Sequence, residues 1–109
     1  MASQSSTRLY RFAKPLSEVI TAVPSTPADL CATDAQIWQV SVCNTTAGAL
    51  TFSLYDKQAT PRYAVKAKSI AANDTVIYAW PEGLFLSGGI TWGASNTGLE
   101  VSIVGSYKS

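Results

Sequence analysis

Apolar and polar side chains alternate with a period of two along most of this chain, the pattern of strands that bury one face. In QIWQVSVCN (36–44), Trp38, Val40 and Val42 fall on one side, opposed by Ile37, Gln39, Ser41 and Cys43. In ALTFSLYD (49–56), Leu50, Phe52 and Leu54 alternate with Thr51, Ser53 and Tyr55. The intervening TTAG offers small polar residues and a glycine. Residues 40–56 therefore read as a β-hairpin with one apolar face.

The pattern continues downstream. PRYAVKAKSI (61–70) places Tyr63, Val65 and Ala67 inward and Lys66 and Lys68 in water, and AAND (71–74) supplies a turn. TVIYAW (75–80) sets Val76, Tyr78 and Trp80 on one side, with Pro81, Glu82 and Gly83 as its stop. GLFLSGGITWGAS (83–95) reads as two strand pieces split by Gly88 and Gly89, and GLEVSIVGSY (98–107) carries Leu99, Val101 and Ile103 on one face. Upstream, LSEVITAV (16–23) is β-rich and is punctuated by Pro24 and Pro27. STPADLCATDA (25–35) is the least patterned stretch and reads as a loop with one helical turn.

Short strands at this spacing, with no amphipathic helix between them, predict an all-β fold. The expected architecture is an antiparallel two-sheet sandwich, jelly-roll-like, of seven to eight short strands. Each sheet keeps one face in water. A chain of 109 residues has the length of one domain, and its 47% apolar content is enough for one core. Residues 1–14 read as a basic, polar N-terminal arm, and residues 15–109 as a single β-sandwich domain.

Charge changes this picture in one respect. Only 14% of residues are charged, against a usual ~25%, so the surface must be rich in Ser, Thr, Ala and Gly. Such a surface repels neighbours weakly, which favours assembly. The net charge of +1 creates no field to gather nucleic acid or acidic substrates. The basic residues do cluster: Arg8, Arg11 and Lys14 precede the first acid, Glu18, and Lys57, Arg62, Lys66 and Lys68 follow later. Arg8, Tyr10, Arg11, Phe12 and Lys14 are the candidates for docking onto another protein. No RNA-binding motif accompanies them, and nucleic acid is not the expected partner.

Candidate chemistry is sparse. The chain has no His, which excludes Ser-His-Asp and Cys-His arrangements. Its seven acids lack the spacing of a Ca²⁺ loop, and no phosphate-binding glycine motif occurs. No enzyme activity, metal or cofactor is expected. Cys31 and Cys43 match no metal or redox spacing, and the N-terminus lacks the apolar core of a signal peptide, so reduced thiols made in the cytosol are expected. Residues 35–55 carry no charge, yet their Gln, Ser, Thr, Asn and Gly argue against a membrane span. NTT at 44–46 fits a glycosylation acceptor but reads as an ordinary turn. Trp38, Trp80 and Trp92 lie within apolar alternation, as core or subunit-interface residues do, rather than as ligand platforms.

The run from about residue 17 to residue 107 resembles small β-sandwich virion proteins of tailed bacteriophages. The matching phrases are VITAVP before a loop, IWQVSVCNTTAGALTFSLYD, and IAANDTVIYAWPEGLFLSGGITWGASNTGLEVSIVGSY. In that group V-C-N-T leads through a small-residue turn into a second strand, and the chain closes on G-L-x-V-x-I-x-G. The loop after AVP is longer here than in the group. The resemblance implies a non-enzymatic virion component, capsid-decorating or attached to head or tail, made in the host cytoplasm and present in several copies. Its implied partners are itself, with a trimer as one arrangement, and the major capsid protein or other virion proteins. The alternative is a carbohydrate- or host-receptor-binding β-sandwich module that uses exposed aromatic rings.

Overall fold

The strands pair as one long hairpin that is rolled back on itself. The computed structural model describes residues 14–15 and 21–108, with side chains from residue 21. Nine extended segments follow in order: β1 (Lys14–Pro15), β2 (Thr21–Ala22), β3 (Ala28–Cys31), β4 (Ala35–Asn44), β5 (Leu50–Asp56), β6 (Tyr63–Ile70), β7 (Thr75–Leu86), β8 (Ile90–Ala94) and β9 (Leu99–Tyr107). β2 pairs with β9, β3 with β8, β4 with β7 and β5 with β6, all antiparallel. Two further pairings, β4 with β9 and β5 with β8, roll this hairpin into two sheets.

One sheet runs β1/β2-β9-β4-β7 and the other β3-β8-β5-β6. β1 and β2 meet opposite ends of β9, through Lys14↔Tyr107 and Thr21↔Val101, and so lie along the same side of that strand. The sandwich thus has four strand positions per sheet in jelly-roll order. Between the sheets, Ile37, Val40, Val42 and Val101 face Phe52, Leu54, Ile90 and Trp92, all buried. Each such large side chain contributes roughly 1.5–3 kcal/mol relative to exposure. The Phe52 and Tyr78 rings stack across the core with centroids 6.5 Å apart.

Several sequence expectations need correction. Residues 40–56 are not a hairpin, because β4 and β5 lie in different sheets. Alternation shows that both strands bury a face, but it cannot distinguish strands side by side from strands facing each other across a core. The second correction concerns phase in β4. The register shifts between Ile37 and Gln39, so Ala35 and Ile37 are buried and Trp38 is only half-buried. Pairing runs from Gln39↔Ala79 directly to Ile37↔Leu84, which leaves residues 80–83 bulged out of the ladder.

Pro81, Glu82 and Gly83 therefore interrupt pairing without ending β7. Proline lacks an N–H to donate and fits a bulge on an edge strand, and Gly83 sits at φ 86°, where a Cβ would lie 2.4 Å from the Gln36 side-chain nitrogen. The third correction lies in β6. A bulge places Ala67 at φ 46°, with its N–H donated to Ser53 Oγ at 2.8 Å. Of Tyr63, Val65 and Ala67 only Val65 reaches the core. Lastly, residues 25–35 contain no helical turn: β3 pairs with β8, and Ala35 already belongs to β4.

Candidate assembly surface

The registers of β9, β4 and β7 fix what the first sheet shows to the outside. Three rows cross these strands: Glu100, Cys43 and Thr75, then Ser102, Ser41 and Ile77, then Val104, Gln39 and Ala79. Glu100 is the one charged residue among these nine positions. Ile77 is 60% exposed and Val104 53%, the two large aliphatic side chains exposed among the described residues. Sequence reading anticipated a surface poor in charge but did not locate it. The signal lay in the odd-numbered residues of TVIYA, where an Ile occupies a position that alternation assigns to water.

β7 is also a sheet edge in the described residues. Which of its backbone groups point outward follows from two hydrogen bonds. Asn44 N–H donates to the Asp74 carbonyl at 2.9 Å, and Thr45 N–H to the Gly98 carbonyl at 2.9 Å. Antiparallel ladders repeat with a period of two, so residues 76 and 78 also turn toward β4. The N–H and C=O groups of Thr75, Ile77 and Ala79 then face away from the sheet. Consistent with this, the Thr75 N–H is capped by Asp74 Oδ1 at 2.9 Å.

The other sheet presents different chemistry. Tyr55 and Tyr63 rings meet with centroids 4.7 Å apart at 41°, and Lys66 Nζ lies 5.1 Å from the Tyr63 centroid. A depression of about 220 Å³ beside them is lined by Pro27, Thr51, Ser53 and Gly93. A cleft of about 400 Å³ opens between the β6 and β7 edges, lined by Asp56, Arg62, Tyr63, Ala64, Leu84 and Leu86. Its carboxylate is structural. Asp56, 2% exposed, accepts the Arg62 backbone N–H at 2.8 Å and Arg62 Nε at 3.1 Å.

Three residues of the later basic stretch have partners within the fold. Lys57 pairs with Asp29 at 3.5 Å, Arg62 with Asp56, and Lys66 with the Tyr63 ring. Of the tryptophans, Trp92 is core, Trp80 packs half-buried against the core, and Trp38 is half-buried at the β4 bulge. Lys14 lies in β1, paired with Tyr107, while Arg8, Tyr10, Arg11 and Phe12 lie outside the described residues. Cys31 and Cys43 are free thiols in opposite sheets, and burial pushes the Cys31 thiol up from its ordinary range. The NTT acceptor is closed off, because the Asn44 side chain is fully buried and hydrogen-bonded. Among the described residues, no group of three or more His, Cys, Asp or Glu could hold a metal ion.

No family model matches the chain, and no curated protein or solved structure does so either.

Proposed function

We propose that this chain is a non-enzymatic structural subunit of a tailed-phage particle, a capsid-decorating or head- or tail-attached accessory protein that acts through protein–protein assembly. The observation that carries the reading is the outward face of the first sheet, where eight of nine residues are uncharged and two large aliphatic side chains stand in water. A lone soluble domain gains nothing from that exposure, whereas a subunit packed among copies of itself and other virion proteins buries it. The virion assignment adds the sequence resemblance to that physical argument. In this reading the protein is made in the host cytoplasm and joins the particle there. Arg8, Arg11 and Lys14, with Tyr10 and Phe12, dock on an acidic virion surface.

The test is co-sedimentation of the purified chain with particles that lack it. Deleting residues 1–13 should abolish attachment while the far-ultraviolet β signal persists, and Ile77→Lys with Val104→Lys should weaken it. Attachment that survives both changes overturns the reading.

One observation favours a second reading, a glycan-binding module: the Tyr55 and Tyr63 pair beside its depression. Aromatic faces can stack on sugar rings, but here each ring already spends a face on its neighbour or on Lys66. Glycan-array binding that disappears in Tyr63→Ala would establish this alternative over the first.

A further inference from the structure

We infer that residues 75–79 of β7 pair antiparallel with the same residues of a second copy, across a two-fold axis at Ile77. The inference rests on the self-assembly part of the function proposed above and names the element that performs it.

A free sheet edge is a template for another strand, and proteins ordinarily blunt it with charge, bulges, proline or brevity. Among the described residues, the β3 and β6 edges of this sandwich are blunted in those ways. β3 has four residues with Asp29 and a register shift. β6 carries Lys66, Lys68 and the bulge at Ala67. The second half of β7 carries Pro81, Glu82 and the bulged residues 80–83. The first half of β7 has none of these devices. From 75 to 80 it reads Thr, Val, Ile, Tyr, Ala, Trp, without charge, proline or glycine.

The second copy is singled out by self-complementarity. Outward backbone groups belong to Thr75, Ile77 and Ala79, and a two-fold must place outward residues opposite outward residues. Centring on Ile77 pairs it with its own equivalent and sets Thr75 opposite Ala79. Each Ala79 N–H then reaches the Thr75 carbonyl of the other copy, and the Thr75 N–H, already capped by Asp74, needs no partner. A register centred on residue 78 would bring Pro81, which has no N–H, opposite Thr75. One centred on residue 76 would bring residue 73, in the turn beyond the strand, opposite Ala79. In the Ile77 register no charged residue within 75–79 meets another, and Val76 lies opposite Tyr78 on the inner side. The two exposed Ile77 side chains cover each other on the outer face, where cross-strand apolar pairs stabilise a sheet.

One strand pair is a small interface, so the dimer should form in the ~micromolar-to-millimolar range in solution and become firm where a particle holds copies side by side. The test uses the full chain in sedimentation equilibrium from ~1 µM to ~1 mM, together with oxidative cross-linking in a Cys31→Ser, Cys43→Ser background. The expected results are a mass rising toward two copies, a midpoint shifted at least ~10-fold by Ile77→Lys, and rapid covalent dimer from Ile77→Cys. Val104→Cys, as exposed and on the same face, should cross-link far more slowly. An unchanged circular dichroism spectrum of Ile77→Lys excludes misfolding as the cause.

Equal or faster cross-linking at Val104→Cys would show the faces stacked rather than the edges paired, and overturns the inference. A parent chain that stays monomeric to ~1 mM and gives no Ile77→Cys dimer on particles also overturns it, and leaves particle attachment standing. A dimer with these properties but no particle binding upholds the edge pairing and removes the virion reading.

Discussion

The side-chain amide of Asn44, at the end of β4, donates to the carbonyl of Ile70, at the end of β6, across 2.9 Å, and so ties one sheet to the other. The same amide donates to Gly48 O at 2.9 Å, while Asn44 Oδ1 accepts the Thr46 N–H at 2.9 Å and the Thr46 hydroxyl at 2.7 Å. This fully used amide is what turns the chain out of one sheet and into the other. Asn44→Ala should cost about 2–4 kcal/mol, because buried carbonyls lose their donors, and urea unfolding reads this directly. Asn44→Asp keeps the shape but aims a carboxylate at two carbonyl oxygens. Its charged form is disfavoured in the fold, so the folded pKa lies above the unfolded one. Stability lost at neutral pH should return as pH falls through that folded pKa.

Asp56 and Arg62 close the β5–β6 loop unequally. The carboxylate is 2% exposed and the Arg62 side chain 75%. Arg62→Ala removes a well-solvated partner and leaves its backbone N–H in place, so less than ~1 kcal/mol should be lost. Asp56→Ala leaves that N–H unpaired and should cost about 1–3 kcal/mol. Equal losses in thermal unfolding would contradict this assignment.

Two glycines differ in kind. Gly89 adopts φ 128°, and a Cβ there would lie 2.3 Å from the Cys31 carbonyl oxygen. Gly48 has open space where its Cβ would go. Gly89→Ala should destabilise by about 2 kcal/mol or more, through backbone strain and displacement of β3. Gly48→Ala should be neutral or gain up to ~1 kcal/mol by restricting the unfolded chain. Denaturant midpoints of the two variants check both signs.

Burial is the main reason the Cys31 thiol holds its proton more tightly than an exposed one, with Asp29 adding to the effect and backbone hydrogen bonds opposing it. The thiolate is the reactive form. Alkylation of Cys31 should therefore be slow at neutral pH and should keep accelerating at pH values where a small-molecule thiol has levelled off. A mass-resolved iodoacetamide time course on the Cys43→Ser chain measures it.

The sandwich was legible because alternation survives in β5, β8 and β9, where Phe52, Leu54, Trp92, Val101 and Ile103 all fall inward. What the sequence hid were the places where phase breaks. At Trp38 a bulge exchanges the roles of Ile37 and Trp38, and no residue type there marks the extra turn of the backbone. β3 was hidden because its burial runs exposed, exposed, half-buried, half-buried and carries no alternation to detect. The crossing at 45–49 looked like a hairpin turn because the feature that decides it, the Asn44 bond to Ile70, joins residues far apart in the chain. The β7 edge was hidden for a related reason. Whether β7 is central or terminal depends on which strands pair, and periodicity does not record that.

The flanking of β4 by β7 on one side and β9 on the other has a consequence for synthesis. During translation β4 emerges well before either of the strands that flank it, and it must wait for β7 and then β9. The nascent chain therefore carries unsatisfied β structure until β9 has left the ribosome, the slow regime expected of contacts so distant along the chain. Termination upstream of β9 should thus yield aggregated product rather than a shortened sandwich, because β4 is then left with one open flank.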